Sequence, residues 1–451
     1  MSRGDRLYSG LIAGCLFLFL LVSDWVVLNG PLLAVRRALL AALALVAVPH
    51  LLRHPRGVAG TVLRPPLVFF AAFLMAGLGL SPFALAPASA AGHALVFAGL
   101  MLFAVAAFET VSLAMTLALL RMALALKLIA SLVLGFVAPR GGIIVVALAN
   151  GTLAQRHVFG GLLGNPNPLC EAAAAYLLLA VCHIIERRSQ WPAGARGWFQ
   201  AGWYALTISV SGYLMWQSLS RSAWVALALV VVAVGAATAW RGFGAELSRR
   251  RHLGIVVGSV IAAGIATSAL LIWINADRGI GAANATTSER ILEPIHGGGI
   301  LDTASRDRYW KFALTKIRER PWTGYGTSAT PQLYHQLVGP AKEHSHNLEL
   351  EAALYAGVPA AILIVLFTTT TLWAASQAFS QRREHALSVA AVLLYVFILA
   401  QVEPVVFGSP YPSLLIILTL AAHLQHRQDA VAAPNAHGEQ EIARAAREPN
   451  T

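Results

Sequence analysis

The segment Glu343-His344-Ser345-His346-Asn347 runs directly into the apolar stretch Leu348 to Phe367, which has the length of a membrane-spanning helix. It also closes the longest polar segment of the chain, Asn275 to Asn347. Two histidines therefore stand where a polar loop meets an apolar helix. Histidine can accept a proton near neutral pH, so the junction is a candidate site for acid–base chemistry. Simple helix capping is the plain alternative, because Asn is a favoured N-cap residue.

The composition is typical of a polytopic membrane protein. Of the 451 residues, 57% are hydrophobic and 12% are charged, and the mean hydropathy is +0.65. These values exclude a soluble globular protein of this size. The formal charge of +12 is spread in short arginine clusters between apolar stretches, which indicates membrane topology and no nucleic-acid partner. The cysteines Cys15, Cys170 and Cys182 lack metal-ligand spacing and are interpreted as packing residues.

The expected fold is an all-α polytopic membrane protein with about twelve transmembrane helices. The apolar stretches lie near Tyr8–Leu28, Ala38–Leu52, Pro66–Leu80, His93–Phe108, Leu117–Val137, Pro168–Ile185, Phe199–Leu219, Ala223–Trp240, Leu253–Ile274, Leu348–Trp373, Ala386–Val402 and Ser413–Leu424. The predicted parts are a bundle of nine helices at 1–274, a periplasmic loop domain at 275–347, three last helices at 348–425 and a disordered cytoplasmic tail at 426–451.

The arginines of the short loops predict the orientation. With the N-terminus in the cytoplasm, the inner loops hold Arg53, Arg56, Arg64, Arg187, Arg188, Arg196, Arg241, Arg249, Arg250, Arg251, Arg382 and Arg383. The outer loops hold Arg36, Arg37, Arg140, Arg156 and Arg221. The positive-inside rule is then satisfied, and segment 275–347 with its histidines is predicted to lie outside.

The outer segment is predicted to contain an amphipathic helix from Ser305 to Glu319. Trp310, Ala313, Leu314 and Ile317 follow the i, i+3, i+4, i+7 spacing of one helix face. The helix would lie on the membrane surface or on the helix bundle, and Pro321 follows its end.

Two outer arginines suit a phosphate-bearing ligand. Arg221 lies at a hairpin between two apolar stretches, and Arg306 opens the amphipathic helix. Arg binds phosphate oxygens through two parallel hydrogen bonds and can stabilise a departing pyrophosphate, while a nearby His can act as the base. A plain charge pair of Arg306 with Asp302 or Asp307 is the other interpretation.

The order of motifs in this chain resembles that of the O-antigen ligase and polymerase superfamily. The matching motifs are Gly164-x-Pro166-Asn167, Ser220-Arg221, Ser305-Arg306-x-x-x-Trp310, Pro321-x-x-Gly324-x-Gly326, His346-Asn347-x-x-Leu350 and Gly357. They cover roughly Gly160 to Leu366, and the resemblance extends to the topology of the whole chain. It implies a fold related to the GT-C membrane glycosyltransferases, a lipid-linked sugar donor, and neither metal nor cofactor. Glu343-x-x-His346-Asn347 is most similar to the ligase branch (WaaL); the polymerase and pilin O-oligosaccharyltransferase branches share these motifs.

The resemblance implies transfer of an O-antigen polysaccharide from undecaprenyl pyrophosphate to lipid A-core at the outer face of the bacterial inner membrane, among membrane lipids. The transfer would invert the anomeric carbon. His346 would be the general base, and Arg221 and Arg306 would hold the pyrophosphate, with Arg140 and Arg156 as further candidates. Asn167 and Asn347 would orient sugar or backbone. A second histidine, His344, leaves open which of the two acts.

Three alternatives stay open at the level of sequence. A polymerase would use the same residues with a second lipid-linked glycan as the acceptor. A glycan flippase would also have twelve spans and intramembrane charges such as Glu109, Arg121 and Lys127, although no internal repeat is evident. An extended His344-x-His346 with Glu343 would offer metal ligands on one face. In that extended chain His344 would lie about 7 Å further from the membrane, which predicts His346 as the deeper base.

Overall fold

A computed structural model describes a bundle of helices and one short β-hairpin. The structure describes residues 3–23, 33–137, 143–147, 153–159, 161–163, 166–187, 194–218, 220–243, 304–327, 329–338, 344–403, 406–407 and 412–424. The predicted span Leu253–Ile274, the tail 426–451 and the first part of the polar segment, 275–303, lie outside these residues.

The described helices agree in position with eleven of the twelve predicted apolar stretches. They are α1 Arg3–Val22, α2 Leu33–Arg53, α3 Pro55–Val62, α4 Leu67–Gly79, α5 Pro87–Thr110, α6 Leu113–Val137, α7 Pro166–Arg187, α8 Gly194–Ser218, α9 Arg221–Phe243, α10 Ala304–Glu319, α11 Thr330–Val338, α12 Leu348–Ser380, α13 Ala386–Leu399 and α14 Pro412–Leu424. Short 3-10 turns occupy Ser81–Phe83 and Gly161–Leu163.

A two-stranded antiparallel hairpin departs from the all-helical expectation. Its strands are β1, Ile143–Ala147, and β2, Leu153–Phe159, with Ile144 opposite Arg156. The β-branched run Ile143 to Val146 favours strand over helix, which gives the departure a local cause.

Five helices among the described residues are long and apolar enough to cross a membrane: α1, α5, α6, α7 and α12. Helices α2 and α3 add a sixth span if the pair, which bends by 112° at His54, is counted as one. Pro55 follows the bend and has no amide proton, so it cannot continue the hydrogen-bond ladder of α2. The chain is therefore a multi-pass membrane protein, and the number twelve stays a prediction. Helix α6 belongs to this set despite Lys127, which is buried inside the bundle.

Helix α12 is broken after its second turn. Ala356 has φ −142° and ψ 29°, and Gly357 has φ 81° and ψ 178°, so the helical hydrogen bonds stop there. Pro359 has no amide proton and opens the second part of the helix. The break leaves a short first part that begins at Leu348 and a long apolar second part.

The segment Pro321–Gly326, here called the strap, satisfies the broken helix. The amides of Tyr325 and Gly326 donate to the carbonyls of Leu354 and Tyr355, at 2.7 and 2.9 Å. At the other end of the strap, the carbonyl of Pro321 accepts from the amide after Gly357 at 2.7 Å. A buried carbonyl without a donor would cost about 1–3 kcal/mol, so the strap makes the break tolerable.

Two glycines of the strap region are required by this close packing. Gly324 has φ +60°, and a Cβ there would lie 2.6 Å from the carbonyl oxygen of Leu354. A Cβ on Gly357 would lie 2.6 Å from the carbonyl oxygen of Pro321. The motif glycines therefore mark the contact between the strap and the helix break.

Polar contacts of Tyr325 also hold the strap against the end of α10. Lys316 Nζ lies 2.9 Å from both carboxylate oxygens of Glu319, and the hydroxyl of Tyr325 donates to Glu319 at 2.8 Å. The Lys316 ammonium and the Tyr325 hydroxyl hold the pKa of Glu319 below its usual range. Burial, with the nearby Glu319 carboxylate, raises the pKa of Tyr325 to about 12. Tyr325 therefore stays a neutral donor at physiological pH.

The amphipathic helix α10 packs on the bundle through a face that overlaps the predicted one. Its buried residues are Tyr309, Ala313 and Ile317, which meet the first part of α12 in a small separate core. Ala313 and Ile317 belong to the predicted stripe, whereas Leu314 is 45% exposed and Tyr309 is buried instead, so the buried face is rotated toward Tyr309. The i, i+4, i+8 row is the one that α12 covers.

The packing of the strap predicts a position-specific effect of a single methyl group. We expect Gly324→Ala to lower the free energy of unfolding by about 1–3 kcal/mol, because the methyl meets backbone at a left-handed φ. Gly202→Ala is the matched control, because nothing lies within 4 Å of a Cβ there. Thermal unfolding in detergent measures both variants. Equal melting temperatures would contradict the tight contact at Gly324.

Candidate active site

The polar residues before α12 form a tight turn that ends in a helix cap. His346 has a left-handed φ of 56°, and the Oδ1 atom of Asn347 accepts from the Leu350 amide at 2.9 Å. The Asn347 amide nitrogen lies 3.3 Å from Oε1 of Gln401. Asn347 is therefore an N-cap, as the plain alternative predicts. Its proposed role toward a sugar stays a prediction.

His344 lies against a buried carboxylate on the first turn of α12. Glu351 is 3% exposed and accepts from the amide and the hydroxyl of Ser345, at 2.9 and 2.7 Å. Its second oxygen lies 3.3 Å from Nδ1 of His344. A carboxylate this buried is tolerated only when several donors satisfy it, which is the arrangement here.

His346 pairs with a different carboxylate, which comes from the end of α13. Nδ1 of His346 lies 3.3 Å from Oε2 of Glu403, a residue that is 5% exposed. The other carboxylate oxygen accepts from the hydroxyl of Ser222 at 3.0 Å. An ionised carboxylate only accepts, so the proton of a neutral His346 ring sits on Nδ1. The Nε2 lone pair is then available to accept a proton from a bound hydroxyl.

The turn rules out the extended His344-x-His346 geometry expected from sequence. The left-handed backbone at His346 directs the two imidazoles to separate carboxylates, so they do not share one face of a strand. Both histidine side chains are 20% exposed. Exposure therefore does not rank one histidine as deeper, and their partners distinguish them instead.

The N-terminus of α9 meets the His346–Glu403 pair. Helix α9 begins at Arg221, and Ser222, the next residue, donates to Glu403. The two serines that flank Arg221 lie 3.3 Å apart through their hydroxyls. Arg221 is thus the sequence neighbour of Ser222, the residue that contacts Glu403. The partial positive charge of a helix N-terminus adds to the attraction for an anion there.

Helix α10 approaches the same histidine through an aromatic ring. The ring of Tyr309 lies 6.1 Å from that of His346, centroid to centroid. Arg306 precedes Tyr309 by one helical turn on α10. The structure therefore brings the helix positions of Arg221 and Arg306 to one end of the bundle, beside His346; it describes the backbone but not the side chain of either arginine.

Asn167 lies in the first turn of α7 at the same end of the bundle. Three residues later, the thiol of Cys170 donates to the carbonyl of Ser220 at 3.8 Å. Arg156 lies on β2, which packs against α8, and its side chain is not described. Arg140 lies outside the described residues. Neither of these two arginines is placed relative to the histidines.

Two carboxylates and a serine are the residues that the sequence analysis missed. Glu351 and Glu403 stand inside or at the end of apolar stretches, where an ionisable residue costs free energy and usually has a function. The presence of a carboxylate in an apolar stretch was therefore the sequence signal that could have identified both residues. Ser222 gave no such signal, because a serine in an apolar helix is common.

A cavity of about 10 Å³ lies behind the two carboxylates. It is lined by Asn347, Leu348, Glu351, Ala400, Glu403, Val406 and Phe407. It holds at most about one water molecule, so a sugar ring does not fit there. A ligand as large as a sugar therefore has access to His346 only from the exposed side of the imidazole.

The predicted metal alternative finds no group of ligands in the part of the chain that the structure describes. Within those residues, no three His, Cys, Asp or Glu side chains are close enough to hold one ion. Glu343, the third ligand of that alternative, lies outside them.

The comparison with known families adds an independent observation. Residues 205–365 match a family model described as Wzy_C, O-antigen ligase. This part of the chain is therefore similar to O-antigen ligases. No curated protein matches the chain.

The matched segment, residues 205–365, runs from α8 into α12. It contains Arg221, Arg306, the strap and His346. Asn167 and Glu403 lie outside the matched residues, although the structure places both at the same end of the bundle as His346. The partner of the histidine therefore comes from beyond the family segment.

Proposed function

We propose that this protein is an O-antigen ligase that transfers a polysaccharide from undecaprenyl pyrophosphate to lipid A-core. The observation that carries the proposal is the hydrogen bond of His346 Nδ1 to the buried carboxylate of Glu403, in a chain whose residues 205–365 match the O-antigen ligase family model. Members of that family act on lipid-linked glycans in membranes. The chemistry of the pair supports a base aimed at a hydroxyl.

In the proposed reaction, a sugar hydroxyl of the acceptor attacks the anomeric carbon of the donor. A new glycosidic C–O bond forms as the C–O bond to the pyrophosphate breaks, with inversion at that carbon. The hydroxyl proton passes to Nε2 of His346, and the electron pair leaves with undecaprenyl pyrophosphate. Glu403 holds the Nδ1 proton and stabilises the imidazolium that forms.

Arg221 and Arg306 are proposed to bind the pyrophosphate of the donor. The start of α9 and the first turn of α10 both approach His346, through Ser222 and Tyr309. A guanidinium offers two parallel donors to phosphate oxygens and offsets the charge of the leaving group. Asn167, Asn347, Arg140 and Arg156 remain candidates for contacts with sugar or phosphate.

The decisive experiment is transfer in vitro with purified protein and defined substrates. We expect His346→Ala to lower the transfer rate by about 100- to 10,000-fold, the usual contribution of a histidine base. We expect Glu403→Gln to lower it less, because the imidazole keeps a hydrogen-bond partner but loses the charge. His344→Ala should reduce transfer only partly, since Ser345 still holds Glu351.

Controls separate chemistry from folding and ligase from polymerase. Unchanged thermal unfolding of His346→Ala shows that the loss is chemical. Lipid A-core and a second lipid-linked glycan are offered as acceptors in parallel; product on the second alone identifies a polymerase. An active His346→Ala with an inactive His344→Ala would move the base to His344.

If Arg221 and Arg306 bind the pyrophosphate, replacing them by alanine should have a larger effect than replacing them by lysine. Arg221→Ala and Arg306→Ala should lose most of the transfer activity. Lys at either position should restore it only partly, because an ammonium lacks the planar fork of a guanidinium. The measurement is the initial transfer rate as a function of the concentration of the lipid-linked donor. Full activity in an alanine variant would remove that arginine from the donor site.

The proposed inner-membrane orientation, with the active site toward the periplasm, predicts the accessibility of two exposed positions. Gln332 lies on α11, at the His346 end, and Ser380 ends α12 at the opposite end. In intact cells, Gln332→Cys should react with a membrane-impermeant thiol reagent, and Ser380→Cys should not. The parent protein corrects for the native cysteines. The reverse pattern would place His346 in the cytoplasm.

A further inference from the structure

A second, much larger cavity opens where α2 and α3 bend away from each other. Its volume is about 1000 Å³. The lining residues are Arg53, His54, Pro55, Arg56, Gly57, Gly60, Thr61, Arg64, Phe108, Glu109, Val111, Ser112, Leu113 and His423. No part of the proposed glycan transfer uses these residues.

The cavity lies at the end of the bundle away from His346. Helix α5 connects the two ends: near its start, the Ala90 carbonyl accepts from Thr327 at 2.8 Å, next to the strap. Its last turn carries Glu109, which lines the cavity. The helix has 24 residues, so the two ends lie about 36 Å apart. The cavity is therefore separate from the site around His346.

Basic residues outnumber acidic ones in the lining of the cavity. Arg53, Arg56 and Arg64 line it with exposed side chains, and His54 stands between the first two. Glu109 is the one acidic residue among the lining residues that the structure describes.

The carboxylate of Glu109 already has hydrogen-bond partners within the protein. Glu109 is hydrogen-bonded to the buried ring of His50, and it accepts from the hydroxyl of Thr61 at 3.3 Å. Its charge is directed to these partners, and the side chains of Arg53 and Arg56 are exposed at the cavity.

The opposite wall is apolar and contains the start of a membrane-spanning helix. Phe108, Val111 and Leu113 form this wall, and α6 begins at Leu113. Ser112 caps α6 by accepting from the Met115 amide at 3.2 Å. Helix α3 begins at Pro55 on the other side. Two helix N-termini thus border the cavity, and both favour negative charge.

We propose that this cavity binds the phosphodiester headgroup of an anionic phospholipid. The arginines supply forked donors for the phosphate, and the apolar wall continues into the spans that acyl chains would contact. A soluble phosphate would use the arginines but not the apolar wall, and this difference favours a lipid. In the orientation proposed above, the lipid would come from the cytoplasmic leaflet. The inference does not depend on the transferase activity.

The test compares lipid binding by the full-length protein in detergent. Phosphatidylglycerol, phosphatidylcholine and inorganic phosphate are titrated separately, and native mass spectrometry counts the bound molecules. We expect phosphatidylglycerol to bind more tightly than phosphatidylcholine. Each arginine near a lipid headgroup contributes about 5-fold in affinity, so Arg53→Ala with Arg56→Ala should weaken phosphatidylglycerol binding about 25-fold.

Arg196→Ala is the matched control. Arg196 is exposed in the first turn of α8, which follows α7 at the same end of the bundle, and it does not line the cavity. We expect this variant to bind phosphatidylglycerol like the parent protein. An equal loss in Arg196→Ala would mean general surface attraction and would overturn the site.

Two further outcomes would also overturn the proposal. One is that the variant with both Arg53→Ala and Arg56→Ala binds phosphatidylglycerol as tightly as the parent protein, and that Arg56→Glu does so too. The other is full displacement of the lipid by inorganic phosphate, which would assign the cavity to a soluble anion. Circular dichroism confirms that each variant is folded before its affinity is compared.

Discussion

The contact between the strap and the break in α12 is the constraint on which the rest of the candidate site depends. Two carbonyls that the helix leaves without donors, those of Leu354 and Tyr355, are satisfied by strap amides. This fixes the short first part of α12, and with it the turn that carries His346. The same contact explains why Gly324 and Gly357 occur where they do, because no side chain fits between the two backbones.

Much of the helical framework was predictable from sequence, because apolar stretches of membrane length report their environment locally. Capping by Asn347 was also readable, since it depends on one residue and the next turn. The break in α12 could not be predicted from the sequence. Gly357 and Pro359 lie in a stretch whose hydropathy alone indicates one continuous span, and only the distant strap makes the interruption stable.

The partners of the two histidines show where sequence reasoning ended. Glu403 lies 57 residues after His346 along the chain, and their hydrogen bond depends on how α13 ends beside the start of α12. The separation of the imidazoles depends on a left-handed residue that no local pattern specified. The order of motifs brought His346, Arg221 and Arg306 together as a candidate site, whereas the pairing of each histidine with its carboxylate required the packed structure.

The strap also sets a length constraint on the chain. Its carbonyl and amide groups bond to α12 at both ends, and the Tyr325 carbonyl accepts in addition from the Leu85 amide, between α4 and α5. Three parts of the chain that are remote in sequence are thereby held in one register. Between Pro321 and Gly326, an insertion or deletion of one residue would break that register. Variation in length is therefore expected to accumulate in other loops, because the backbone of the strap holds the end of α10 at a fixed distance from the break in α12.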